Sequence, residues 1–189
     1  MSTAGDNVNA ASSGKGASWF TRALDKKATA LAFALGLATI LGALGSQYIG
    51  GLYPCELCLE QRLAYYWGLP LLGAILILWN RLPLTVWYVG MGLATAIFVW
   101  GTYMGTYHAG VEWGFWPGPT ACTGTGLGVD FNQLSDINAA RVVPCDKVQW
   151  TLFGISLAGY NALISLGIVV LLLTAIGDQW RRGKAAPKA

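Results

Sequence analysis

The stretch LPLTVWYVGMGLATAIFVWGTYMGTYHAGV, from Leu82 to Val111, contains no Asp, Glu, Lys or Arg. A helix needs about 20 predominantly apolar residues to cross the hydrocarbon of a bilayer, so this run is a membrane span with residues to spare. Ala28 to Cys55, Leu63 to Asn80 and Val148 to Gly177 are free of the same four residue types. Leu63 to Asn80 is the shortest. It reaches spanning length by beginning near Leu57 and carrying Glu60 and Arg62 at its mouth. Backbone groups in lipid must be paired inside the segment, which favours helices. The sequence therefore predicts an all-α integral membrane four-helix bundle, with spans at about 28–50, 57–79, 84–106 and 150–176.

Composition points the same way. Hydrophobic residues make up 54% of the 189-residue chain and charged residues 11%, against roughly a quarter charged in a soluble domain. That balance excludes an ordinary soluble domain, and also a disordered chain, which needs few apolar residues. Nine Trp, eight Tyr and six Phe suit aromatic belts at the two membrane surfaces. The net charge of +3 is too small to imply a nucleic-acid partner.

The basic residues orient the bundle. Lys15, Arg22, Lys26 and Lys27 precede the first span, Arg81 lies between the second and third, and Arg181, Arg182, Lys184 and Lys188 follow the fourth. Nine of the twelve Lys and Arg thus fall on one side, which the positive-inside rule makes cytoplasmic. Both termini are then inside, and the loops 51–58 and 107–149 face out, with six of the nine acids on the outer side. Residues 1–27 read as a disordered polar and basic leader, 28–178 as the membrane domain and 179–189 as a basic tail. A cleaved signal peptide ending at Ala43-Leu44-Gly45 fits poorly, because the leader is long and the apolar run outlasts an ordinary signal core. Gly101-x-x-x-Gly105 reads as helix packing. Gly124, Gly126 and Gly128 read as a hinge, since no strand precedes them to make a phosphate loop.

All four cysteines, Cys55, Cys58, Cys122 and Cys145, fall in the two outer loops. An oxidising compartment permits disulfides there, and the sequence supports two pairs, Cys55 with Cys58 and Cys122 with Cys145. Three readings compete. Structural staples are one, although a C-x-x-C closes so small a ring that it restrains the unfolded chain little. A four-cysteine zinc site is the second, and it needs free thiolates on an oxidising side. Thiol–disulfide exchange is the third, for which C-x-x-C is a common motif. Pro54 suits a helix start, which puts Cys55 and Cys58 in the first turn of the second span, where the helix dipole favours thiolate. Glu56 and Glu60 oppose that effect. Arg62 lies four residues beyond Cys58, about 6 Å deeper on the same face. A guanidinium there either snorkels to the interface or serves as a donor to a thiolate or to a ligand carbonyl.

The stretch Pro54-Cys-Glu-Leu-Cys-Leu-Glu-Gln-Arg62 at a span mouth, followed by Trp116-Pro117-Gly118-Pro119-Thr120-Ala121-Cys122 in the later loop, resembles the DsbB family (disulfide bond formation protein B) over residues of about 28–178. The resemblance implies a bacterial inner-membrane enzyme. Such an enzyme reoxidises a periplasmic DsbA-like thioredoxin-fold protein and passes the electrons to a membrane quinone, ubiquinone or menaquinone. It implies that Cys122 takes the partner in a mixed disulfide, that Cys145 hands electrons towards Cys55, and that Cys58 lies beside the quinone. Arg62 and His108, the chain's single histidine, would contact that quinone. A strongly oxidising donor sits near −120 mV and an ordinary thioredoxin pair near −270 mV, so the transfer between them is uphill by about 7 kcal/mol unless a downstream acceptor pulls. A quinone arriving from the bilayer supplies that pull.

Leu127, Phe131, Leu134 and Ile137 recur at spacings of three and four, which predicts a short amphipathic helix on the outer leaflet, with a passive loop as the alternative. Trp113, Phe115 and Trp116 suit interfacial anchoring. Against the enzyme stands a tetraspan scaffold with structural disulfides. A reductase of the vitamin K epoxide reductase type is disfavoured, because in those proteins the C-x-x-C sits in a late span.

Overall fold

The computed structural model describes residues 6–119 and 144–185, with side chains from residue 25 onward. Among the described residues the chain is all-helical apart from one small hairpin. The helices are α1 (Asp6–Tyr48), α2 (Glu56–Ile77), α3 (Leu84–Glu112) and α4 (Leu157–Ala185). Each helix packs on the next in sequence, and α1 closes the ring against α4. Among the described residues three helical segments, Asp25–Tyr48, Leu84–Glu112 and Leu157–Ala185, are long and apolar enough to cross a membrane. The 22 residues of α2 are long enough at 1.5 Å per residue. Glu60, Gln61 and Arg62 in its first two turns lower its hydropathy.

The core lies between the four helices. Phe98, Leu72, Met91, Ile168 and Leu172 are fully buried there, and Tyr65 meets Phe98 edge-on with ring centroids 5.7 Å apart. Leu31, Leu41, Val89, Leu93, Val99, Leu163, Val170 and Leu173 point outward and are exposed. So continuous an apolar exterior is what a lipid-facing surface requires, and in water it would drive association. Gly105 explains how closely α3 and α4 approach: a Cβ there would lie 2.8 Å from the backbone nitrogen of Ala162. The Gly101/Gly105 pair is thus a packing surface, as its spacing suggested.

Several boundaries differ from the sequence reading. The polar leader, expected to be disordered over 1–27, is helical from Asp6 and continuous with the first span. It contains no proline, so nothing in the backbone stops a helix from running back through it. The third helix runs to Glu112 rather than 106, which makes His108 a helical residue. The fourth begins at Leu157 rather than 150, because the charge-free run opens with an antiparallel hairpin, β1 (Thr151–Leu152) and β2 (Ile155–Ser156). Phe153 and Gly154, at φ 50° and 79°, form its two-residue turn. Ser156 then caps α4, its Oγ accepting from the Gly159 N–H at 3.2 Å. A count of charges cannot see a hairpin built from uncharged residues. The expected horizontal helix, the glycine hinge and Cys122 lie outside the described residues, as do residues 186–189 of the basic tail.

One end of the bundle holds both the N-terminal part of the first span and the end of α4, joined by the ion pair of Asp25 with Arg182. Asp25 is 2% exposed, and its backbone carbonyl accepts from Thr29 Oγ1. The cysteines lie at the opposite end.

Candidate active site

The site is assembled where α2 begins, α1 and α3 end and α4 begins. Cys55 is the N-cap of α2 in extended conformation, and its Sγ accepts from the Cys58 N–H at 3.3 Å. The thiol thus fills a role usually given to Ser or Asp. Helix α2 starts at Glu56, so Cys55 sits just before the first turn and Cys58 within it. Both are free thiols. Their sulfurs are 2.7 Å apart, with Cys55 donating to Cys58. The pair is poised to close, since a disulfide needs about 2.05 Å. That S–H···S bond, and then burial, hold the Cys55 thiol above its ordinary range. The position at the helix start therefore does not lower the Cys55 thiol.

His108 reaches the pair from α3, with Nε2 3.6 Å from Cys55 Sγ and 3.9 Å from Glu112 Oε1. The Glu112 carboxylate also accepts a hydrogen bond from Ser156. On the far side of the ring, Nδ1 lies 2.6 Å from Gln61 Nε2. Cys145 is 1% exposed, is disulfide-bonded, and shares a buried cluster with Cys55, Leu57, Met104 and Val111. Gln149 ties that segment down by donating to the Tyr53 carbonyl at 2.7 Å. The structure thus brings Cys55, Cys58 and Cys145 together with His108, and Cys122 lies outside the described residues. A disulfide-bonded Cys145 removes the zinc site of four thiolates. The donor atoms of Cys55, Cys58 and His108 do lie within 4.8 Å of one another, a three-ligand cluster.

Arg62 faces the same space. It donates to Gln47 Oε1 at 2.5 Å and to the Ala43 carbonyl at 3.4 Å, both on α1. It is therefore held in place by protein rather than snorkelling freely. These groups open into a cavity of about 680 Å³ between α1, α2 and α4. Ala38, Ile40, Ala43, Leu157 and Ile164 supply apolar wall, while Cys58, Gln61, Arg62 and His108 supply a polar end. That volume and composition suit a flat, mostly apolar ligand with a few polar atoms.

Above the site, Trp116 stacks on Tyr107 at 6.2 Å and donates from Nε1 to the Tyr107 carbonyl. Its ring fills the space left by Gly110, where a Cβ would come within 2.0 Å of it. Trp113 and Phe115 stay exposed, as interfacial anchors do. The sequence reading missed Gln61, Tyr65, Asn161, Ser165 and Glu112. The available signal was polar residues inside otherwise apolar spans, which are costly and usually functional.

A free dithiol at a helix start, backed by a third, disulfide-bonded cysteine and open to an apolar cavity, is the equipment of a membrane thiol oxidoreductase. The model of the disulfide bond formation protein DsbB family matches residues 25–175, and the chain belongs to that family. It is also 24% identical over 162 residues to the disulfide bond formation protein B of Polaromonas sp. (strain JS666 / ATCC BAA-500), covering 82% of this chain and 92% of that relative. No solved structure matches the chain. Family membership carries disulfide bond formation as the activity and thiol–disulfide oxidoreduction as its chemistry.

Proposed function

We propose that this chain reoxidises a periplasmic DsbA-like thioredoxin-fold protein and delivers the electrons to a membrane quinone. It would act as a four-span protein of the bacterial inner membrane, with both termini cytoplasmic and the cysteine loops periplasmic. The observation that carries the proposal is the Cys55–Cys58 dithiol at the polar end of an apolar cavity between α1, α2 and α4. When bound, the quinone accepts the electron pair and two protons that the dithiol gives up in becoming a disulfide.

The chain's own residues divide the remaining work. Cys122 exchanges with the reduced partner, and Cys145, packed beside Cys55, passes the reducing equivalents inward. Each exchange is thiolate attack on a disulfide, so one S–S bond forms as another breaks. Both Cys55 and Cys58 line the cavity; Cys58, the less buried of the two and the acceptor of the Cys55 hydrogen bond, is the proposed donor to the ligand. Arg62, fixed by Gln47 and Ala43, holds a permanent positive charge where a carbonyl oxygen of the ligand would rest. The apolar walls exclude water from the reacting sulfur. The cytoplasmic assignment of the termini rests on the nine basic residues at that end. The proposed ligand is ubiquinone or menaquinone.

The test is oxidation of a reduced thioredoxin-fold donor by the purified protein, with and without added quinone. The proposal expects oxidation only with quinone and a trapped mixed disulfide at Cys122. A scaffold with structural disulfides would give neither, and oxidation at equal rate without quinone or oxygen would also overturn the reading.

A further inference from the structure

An unbroken line of buried polar groups runs from the dithiol to the third turn of α4. His108 Nδ1 lies 2.6 Å from Gln61 Nε2, and Asn161 Nδ2 donates to Gln61 Oε1 at 2.6 Å. The Tyr65 hydroxyl donates to Asn161 Oδ1 at 2.6 Å and stands 3.0 Å from Ser165 Oγ. All five residues are buried, Asn161 the most exposed at 9%. Three helices supply them, and five buried polar side chains in one bundle would ordinarily be read as interhelical glue.

The direction of the line argues for more. At the sulfur end, Cys55 spends its single S–H on Cys58, so it offers His108 only lone pairs. The Glu112 carboxylate near Nε2 is an acceptor as well, and the backbone of Cys145 also hydrogen-bonds the ring. The hydrogen between His108 and Cys55 must therefore come from Nε2. At the tyrosine end, the hydroxyl is spent on Asn161 Oδ1, which turns the asparagine nitrogen to Gln61 Oε1 and the glutamine nitrogen to His108 Nδ1. A neutral imidazole carries one N–H, and with Nδ1 accepting, that hydrogen is on Nε2. The two ends are consistent with one direction.

We propose that Gln61, Asn161 and Tyr65 are positioning residues that lock His108 in its Nε2–H tautomer and so make the ring a fixed hydrogen-bond donor to Cys55. Amide groups transmit the direction of a hydrogen bond but do not readily pass a proton, so the line is an orienting chain and not a proton wire. A donor fixed on Cys55 stabilises negative charge on that sulfur whenever exchange places it there, with no reorganisation during the step. His108 then does not act as the base that deprotonates Cys55.

The inference rests on Cys55–Cys58 being the exchange centre, but its test reads the ring itself. His108 is the only histidine, so the full chain labelled with ¹⁵N-histidine in lipid nanodiscs gives one pair of ring-nitrogen signals. The reduced protein should show a protonated Nε2 and an unprotonated Nδ1. Gln61→Leu should convert this to a mixture of tautomers and slow oxidation of the dithiol by about tenfold, the loss of one hydrogen bond to a charged sulfur. Tyr65→Phe removes only the hydroxyl, keeps the ring against Phe98, and should move the signals the same way, so it decides the matter if Gln61→Leu fails to fold. A protonated Nδ1 in the unaltered protein, or wild-type signals in both variants, overturns the proposal. Loss of quinone-dependent turnover in a protein that keeps the Nε2–H signal would sink the functional reading and leave this one standing.

Discussion

The two halves of the bundle are built on opposite principles. Towards the Asp25–Arg182 end, Leu72, Met91, Ile168, Leu172 and Trp87 close a core, and Trp79 and Trp87 pack edge to face at 5.7 Å. Towards the cysteine end, the space between α1 and α4 opens into the cavity, and buried positions are held by Gln61, His108, Asn161 and Ser165. Tyr65 belongs to both, its ring on Phe98 and its hydroxyl on Asn161. The contrast teaches that stability and chemistry are separated along the membrane normal. Interior packing in one half supplies rigidity, and the other half gives up close packing for a reactive, partly polar chamber.

Substitutions should therefore sort by half. The largest effect on chemistry is expected from Cys58→Ser, which should abolish quinone-dependent turnover while leaving thermal unfolding close to that of the unaltered protein. Unfolding followed by fluorescence alongside the turnover assay checks both statements. The largest effect on stability is expected from Phe98→Ala, at about 3 kcal/mol, because the ring is fully buried and leaves a cavity. Turnover per folded molecule should change little, and a selective loss of turnover would blur the division. Arg62→Gln should raise the apparent KM for quinone about tenfold, the equivalent of about 1.4 kcal/mol, with a smaller change in kcat. An unchanged KM would mean that Arg62 serves only to tie α2 to α1. The smallest effect is expected from Asp25→Asn. Arg182 remains 27% exposed, so the broken pair should cost about 1 kcal/mol of stability and no activity.

The same division explains what could be read in the sequence. The three helices long and apolar enough to cross a membrane were legible because charge is excluded from hydrocarbon, and runs such as Leu82–Val111 carry that exclusion on their face. The C-x-x-C with Arg62 was legible because its members lie in one short stretch at the start of α2. The start of α4 was not, because Thr151 to Ser156 satisfies the same charge rule as a hairpin. The end of α3 was not, because His108 and Glu112 look like loop residues until Cys55 and Ser156 are seen to partner them. Least legible was the line from His108 to Ser165. Gln61 and Asn161 stand 100 positions apart, and each alone is one polar residue in an apolar run. Only the packing of α2, α3 and α4 gives the line its continuity and direction.

The central claim is that the Cys55–Cys58 dithiol gives its electrons to a quinone in the adjoining cavity. Anaerobic mixing of the fully reduced protein with one equivalent of a soluble ubiquinone analogue tests it most directly. Quinone absorbance and mass spectrometry after alkylation are followed together. The account predicts that quinone is consumed in step with the disappearance of alkylatable Cys55 and Cys58. Thiols that remain alkylatable at both positions while quinone persists would contradict it.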